Sequence, residues 1–433
     1  MTSWLTAEQA AERLGVKTAT VYSYISRGAL SRRRAGDGRS VFDESEVEQL
    51  ARRGRPRRSG NLPELVIESA VTALGEDRQY YRGHDALELA EWCDLEDIAD
   101  WLWTGDETAL ARTPTGDHTP PVRTPTGYRG SLRHTKPGDL DYRRIGRPEW
   151  VAPERAVAAG RLAQRGLPKD VLPLERLQVI TPVLATYDPL RLTPSEASVA
   201  EIGRSLIAGM IACLPGNPVY GPLSANLWVK LTPRVPEGRW LDVLRAAMVL
   251  AADHELAAST LAVRVAASVR ADPYAVVSAG LGATSGALHG GASLGAEALL
   301  EEIEDPAHAA YVVGQRLRRG ERIPGFGHKV YRAGDGRANV LFDRIRAADP
   351  KHPRLAVAEA VLAEARRRKL PAMNVDFALA TLVNATDMQS GSGEAIFAIS
   401  RTVGWLAHAL EEYAKPMRFR LRAVYVGSPV QSG

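Results

Sequence analysis

Three stretches carry histidine where a core histidine is unusual: Asp253-His254-Glu255, Gly286-Ala287-Leu288-His289-Gly290-Gly291 and Pro324-Gly325-Phe326-Gly327-His328-Lys329-Val330-Tyr331-Arg332. A fourth stretch, Asn374-Val375-Asp376-Phe377, supplies a lone acid. Glycine beside histidine lets a ligand approach the backbone closely. An acid, several imidazoles and nearby arginines suit carbon-acid chemistry on an anionic substrate. A base removes a proton, neutral donors hold the developing enolate, and cations hold carboxylates. A zinc site fits poorly. The histidines lie 35 and 39 residues apart, with no His-x-x-x-His pair and no cysteine partner, so no metal is expected.

Outward from these motifs, 433 residues allow more than one domain. The chain is 45% hydrophobic and 24% charged, ordinary values for a soluble globular protein. Its two cysteines, Cys93 and Cys213, are far apart, which argues against a disulfide framework and for a reducing cytoplasm. The N-terminus has no apolar run like a signal peptide, and no apolar stretch reaches the roughly 20 residues that span a bilayer. Charge is uneven. Residues 1–60 hold 12 lysines and arginines against 7 acids, and the remainder is nearly balanced. That asymmetry predicts a separate N-terminal module with an anionic partner.

The module has its own punctuation. Thr6 can cap a helix ending at Gly15, and Thr18 starts a second through about Ser26, with Val21, Tyr22 and Ile25 spaced for burial. Residues 31–42 read as a hairpin wing and 43–52 as a third helix. This order resembles the winged helix-turn-helix modules of the MerR and excisionase type. The resemblance implies DNA binding through residues 1–58, with Thr18, Thr20, Tyr22 and Ser23 near the DNA-facing side. Arg53 to Arg58 reads equally as an AT-hook or as a solvated basic linker. Residues 107 to about 170 are rich in Pro, Gly, Thr and Arg, contain Arg-Thr-Pro-Thr-Gly twice, and read as a flexible insert. Before the insert the pattern is mostly helical after one short strand pair. Beyond Leu172 it is amphipathic helix, so the fold class is mainly α.

The motifs together resemble the citrate synthase family. Tyr81-Arg82-Gly83-His84-Asp85 with Glu88-Leu89-Ala90 matches an early family segment, and 253–260, 286–292, 324–332, 374–377 and 397–411 match later ones. The resemblance covers roughly 62 to 428 apart from the insert. It implies a citrate synthase-like body over 62–433, with a large helical domain and a small one at roughly 285–385, behind the small winged domain.

The resemblance also implies roles. Asp376 would take the α-proton of acetyl-CoA, His289 would donate to the thioester oxygen, and His328 would polarise the oxaloacetate carbonyl. His254, Arg337, Arg401 and Arg420 would hold substrate carboxylates. Arg420 would reach the other subunit's site, which implies a homodimer with shared active sites. Arg332 would contact CoA phosphates, or form a surface salt bridge. Acyl-CoA is a substrate here and no cofactor is implied. The sequence departs from the family at Ser293, Leu294, Gly336, Leu421 and the Ala-Leu-Ala after Phe377. These departures spare the acid, base and carboxylate ligands but leave acyl-CoA choice open. A 2-methylcitrate synthase using propionyl-CoA is the close rival. A DNA-binding regulator that senses metabolites through a synthase body is the rival of another kind.

Overall fold

The computed structural model describes residues 4–14, 16, 18–26, 30–35, 39–53, 67–110, 150–216, 221–415, 419 and 427. The chain divides into two compact units, Met1–Glu68 with Leu421–Gly433, and Ser69–Arg420.

In the first unit, Thr6 and Gln9 cap each other's backbone N–H at 2.9 and 3.3 Å, and the helix Ala7–Leu14 follows. The second helix is Thr18–Ser26 and the third Glu44–Arg53, with the hairpin strands Arg33–Arg34 and Ser40–Asp43 between them. The hairpin gains a strand that the sequence pattern does not announce. Trp4–Thr6 pairs antiparallel with the other edge of Ser40–Asp43. Ala10, Ala11, Val21, Leu30, Phe42 and Val47 form the small core. Arg13 ties the first helix to the third through Glu44 and Glu48 at 3.3 and 3.2 Å. Tyr22 is not buried as expected but 43% exposed. Val21 and Ile25 share one helix face at i, i+4, and Tyr22 lies a step around it. The basic stretch 54–58 lies outside the described residues.

The second unit opens with a three-stranded antiparallel sheet, Thr72–Leu74, Gln79–Tyr81 and His84–Asp85, one strand more than the expected pair. Asp85 caps a short helix by accepting from Leu87 N–H. The helix Leu95–Thr104 starts on an Asp94/Asp97 capping box and stops at left-handed Gly105. Described chain resumes at Trp150, which stacks on Trp103 with ring centroids 5.7 Å apart. The reading of 107 to about 170 as one flexible insert is corrected at its far end. Glu154–Ala163 is an α-helix that buries Ala156 and Gly160. Gly160 lies so close to Cys213 that a Cβ there would meet its sulfur at 2.5 Å. Alanines at 156, 158, 159 and 163 favour helix once the Pro-rich stretch has passed.

Most helices of this unit pack on Ser392–Ala414, a 23-residue helix buried along most of its length. Apolar or small residues on all its faces explain a central position. Residues 285–385, read as a small domain, fall inside the unit Ser69–Arg420. Among the described residues no helix is long and apolar enough to cross a membrane.

Candidate active site

The helix Gly238–Ala251 ends where the Asp253–Glu255 turn begins. Glu255 sits at φ 51, a left-handed conformation uncommon for a residue with a side chain. Asp253 Oδ2 holds the turn by accepting from Glu255 N–H at 3.0 Å. The central helix meets the turn at Gly404. Its N–H donates to Ala252 O at 3.0 Å, and a Cβ there would lie 2.2 Å from Asp253 Oδ1. One turn earlier, Arg401 Nε donates to Ala251 O at 2.8 Å. His254 is thereby held beside Arg401.

A second backbone junction brings His328 and Asp376 together. Phe326 and Met373 pair as an antiparallel bridge. Gly327 N–H donates to Ala372 O at 2.8 Å, and Asn374 N–H to Gly325 O at 2.9 Å. The Asn374 amide donates to Gly327 O at 3.0 Å and, through Oδ1, accepts from Asp376 N–H at 3.0 Å. Asn374 thus caps the Val375–Ala385 helix and fixes the glycine loop to it. Gly325 must be glycine. Its φ is 80, and a Cβ would lie 2.7 Å from Phe377 Cβ.

The rings then cluster. His254 and His328 meet edge to face at 5.2 Å, and Tyr331 stacks on His328 at 4.7 Å. The Val330 and Tyr331 N–H groups both donate to His328 Nδ1 at 3.1 Å, so the ring proton belongs on Nε2. That Nε2–H lies 3.5 Å from Arg337 Nη2, one donor facing another. An oxygen between them would accept from both. Arg337 is held by Asp335 through two bonds of 2.9 Å, and Asp335 also accepts from Val375 N–H at 3.0 Å. His289 Nε2 lies 2.8 Å from Ser259 Oγ, which accepts from Trp405 Nε1 at 3.3 Å. The serine hydroxyl can then donate to Nε2, the arrangement in which His289 carries its proton on Nδ1. Phe397 joins the halves, 5.7 Å from the His289 ring and 4.4 Å from the Arg401 guanidinium carbon.

Electrostatics make the imidazoles neutral and the acid basic. Burial, then Arg337 and Arg401, push His254 well below its ordinary value. Burial and Arg401 bring His289 down to about 4, and burial and Arg337 bring His328 down to about 4. Burial pushes Asp376 up to about 7. Arg337 and Arg401 oppose the rise, and Asp335 and Glu394 reinforce it. Burial lowers Arg401 to about 10, while Asp335 keeps buried Arg337 firmly charged against its desolvation. His254 Nε2 and Arg401 Nη2 are buried with no hydrogen-bond partner. Neutral imidazole donors, two guanidinium groups and a carboxyl titrating near neutrality can hold a carboxylate-bearing ligand and move a carbon-bound proton.

The structure brings His254, His289, His328, Arg337, Arg401 and Asp376 into one cluster. Arg332 stands apart, exposed and with no ion pair among the described residues. Arg420 lies outside the described residues. Sequence reading passed over Asp335, Tyr331, Ser259 and Asn374, which orient the others. The Asp335-Gly336-Arg337 spacing was the available signal for the first; the rest act through contacts that only folding creates.

Residues 63–422 match the family model described as citrate synthase, C-terminal domain. The chain belongs to the citrate synthase family. Residues 4–55 match a helix-turn-helix domain model, so a helix-turn-helix module precedes the citrate synthase-family body. A protein of Mycobacterium tuberculosis described as putative citrate synthase 2 is 40% identical over 199 residues, 44% of this chain and 53% of that protein. The chain thus spans about half the length of that relative. A 2-methylcitrate synthase of the same organism is 28% identical over 367 residues, 80% of this chain and 84% of the relative. Citrate synthase from Thermoplasma acidophilum, solved as a ternary complex with carboxymethyl coenzyme A and oxaloacetate, shares the fold. It has TM-score 0.64 and 22% identity, covering 85% of this chain and 96% of that one.

Proposed function

We propose that the citrate synthase-family body joins the methyl carbon of acetyl-CoA to the carbonyl carbon of oxaloacetate and hydrolyses the thioester, so that water is consumed and citrate and CoA are released. Asp376 removes a methyl proton. His289, protonated on Nδ1, donates to the thioester oxygen as the enol forms. Preplaced donors of this kind are worth roughly 10²–10³ in rate. The enol carbon attacks the oxaloacetate carbonyl, whose oxygen takes the His328 Nε2 proton. His254, Arg337 and Arg401 hold the carboxylates, with Arg420 supplied by the second subunit. Water then cleaves the acyl–sulfur bond.

One observation carries this reading. In the cluster that holds Asp376, His254 Nε2 and Arg401 Nη2 are buried with no hydrogen-bond partner, and His328 Nε2–H faces Arg337 Nη2, itself bonded to Asp335, donor to donor at 3.5 Å. Planar guanidinium groups suit carboxylates. The test is product identification. Methyl-¹³C acetyl-CoA and oxaloacetate should give a citrate methylene signal in ¹³C NMR together with free CoA. Free CoA with labelled acetate instead would mean simple thioester hydrolysis and contradict the condensation.

The homodimer is part of the same proposal. Leu261, Val265 and Val269 are 41%, 47% and 58% exposed at i, i+4, i+8 spacing, an apolar stripe suited to a second copy. Exposed Arg332 is proposed to meet CoA phosphates, and residues 285–385 to form the smaller part of the body. DNA binding is proposed for the N-terminal module, where exposed Tyr22 lies on the second helix. We place the reaction in the cytoplasm, in keeping with a sequence that holds only two cysteines, far apart.

A further inference from the structure

A chain of buried polar groups runs behind the site, and the mechanism above does not use it. Arg264, on the helix Ala258–Ser268, is fully buried. Its guanidinium meets Glu411 at 2.6 Å, Glu412, and His408 Nδ1 at 2.6 Å. His408, Glu411 and Glu412 share one face of the central helix at i, i+3, i+4 spacing. On its other side, His408 Nε2 lies 3.3 Å from Asp253 Oδ2. Arginine can only donate, so His408 Nδ1 accepts and the ring proton sits on Nε2, donated to Asp253. Ser69 Oγ also approaches Nδ1, at 3.4 Å.

Asp253 Oδ2 therefore has two donors, His408 Nε2–H and the Glu255 N–H. Those contacts bracket His254, whose neighbour Glu255 is left-handed and whose own Nε2 has no partner. The His254 ring meets His328 and Tyr331 edge-on, at 5.2 and 5.3 Å, and is hydrogen-bonded to its own backbone. Its direction is thus set by the turn. Buried ion networks often contribute less stability than apolar packing would, so stability alone is a weak reason for this one.

We propose that His408 is a positioning residue. Through Asp253 it locks the 253–255 turn, so that His254 Nε2 is presented to the carboxylate-bearing substrate. The inference rests on the citrate synthase-type reading of the site.

The test uses the full chain and the variants His408→Ala, His408→Gln and His408→Asn. Oxaloacetate affinity is measured by calorimetry, KM and kcat for acetyl-CoA by CoA release, and folding by thermal melting. Glutamine can place an amide N–H where Nε2–H stood; asparagine is one methylene shorter. His408→Ala should bind oxaloacetate at least about tenfold more weakly, the order expected when a positioned group shifts, with the acetyl-CoA KM nearly unchanged. His408→Gln should regain most of that affinity and His408→Asn should not. If His408→Ala does not fold, the Gln and Asn pair decides. Equal oxaloacetate affinity in wild type and His408→Ala would overturn the proposal. So would a His408→Gln protein that melts like wild type yet binds no better than His408→Asn. Should the wild-type chain bind no oxaloacetate, the functional reading fails and a crystal structure of the most perturbed folded variant judges the relay. A displaced His254 ring supports it, and an unmoved 253–255 turn overturns it.

Discussion

Asp376 is the residue on which the proposed chemistry turns. Burial raises its pKa to about 7 in the folded chain, so its basic form gains as pH rises through 7 and is lost below. The three imidazoles stay neutral through that window, because burial and the arginines hold them low. The acetyl-CoA kcat/KM should therefore rise with an apparent pKa near 7 and reach a plateau. A profile flat from pH 5.5 to 8 would detach Asp376 from proton abstraction. Asp376→Asn removes the base at little change in volume. It should lower CoA release by roughly 10³-fold or more, while calorimetric oxaloacetate affinity stays within a few-fold. His254, His289, His328 and Asp376 could be singled out in the sequence because each stands in a distinctive local motif, and Arg337 and Arg401 only through the family pattern. Ser259 was not, since its contact to His289 spans 30 residues and exists only once the Ala258–Ser268 helix has packed.

Among elements, the junction of the 324–328 loop with the Val375–Ala385 helix sets the relation of His328 to Asp376. Gly325→Ala would add a Cβ at φ 80 and 2.7 Å from Phe377 Cβ. We expect a loss of about 1–3 kcal/mol, read from urea melts, and a larger fractional loss of CoA release than of stability-limited yield. Wild-type stability in that variant would show that the loop can relax. The start of the first helix was legible because Thr6 stands before it as a cap, whereas the Asp94/Asp97 and Asn374 caps show themselves only in the folded chain. The strand Trp4–Thr6 was hidden, because three residues carry too little alternation to show a period and their partner lies near residue 42. Glu154–Ala163 was hidden by the composition of the stretch before it.

For the molecule at large, a helix-turn-helix module precedes a citrate synthase-family body, and two chains are proposed to share their active sites. Mixing Arg420→Ala with Asp376→Asn subunits should restore activity, because each heterodimer holds one site with both residues intact. No recovery, with subunit exchange confirmed by native mass spectrometry, would argue against shared sites. The full chain should bind duplex DNA with an affinity that falls steeply as salt rises, as expected when arginines displace counterions. Deleting residues 1–60 should abolish that binding and leave CoA release nearly unchanged, since the proposed catalytic groups all lie beyond residue 250. Anisotropy that does not change at micromolar protein and low salt would remove DNA as the partner. Fold and site were legible as a family pattern, but preference between acyl donors was not. One methyl group alters selectivity only about 10–200-fold and is set by pocket shape rather than by a motif. The most direct test of the condensation is steady-state CoA release by the wild-type chain with acetyl-CoA or propionyl-CoA, each with and without oxaloacetate. The account predicts release that depends on oxaloacetate and is faster with acetyl-CoA; release that is absent, or unchanged when oxaloacetate is omitted, would contradict it.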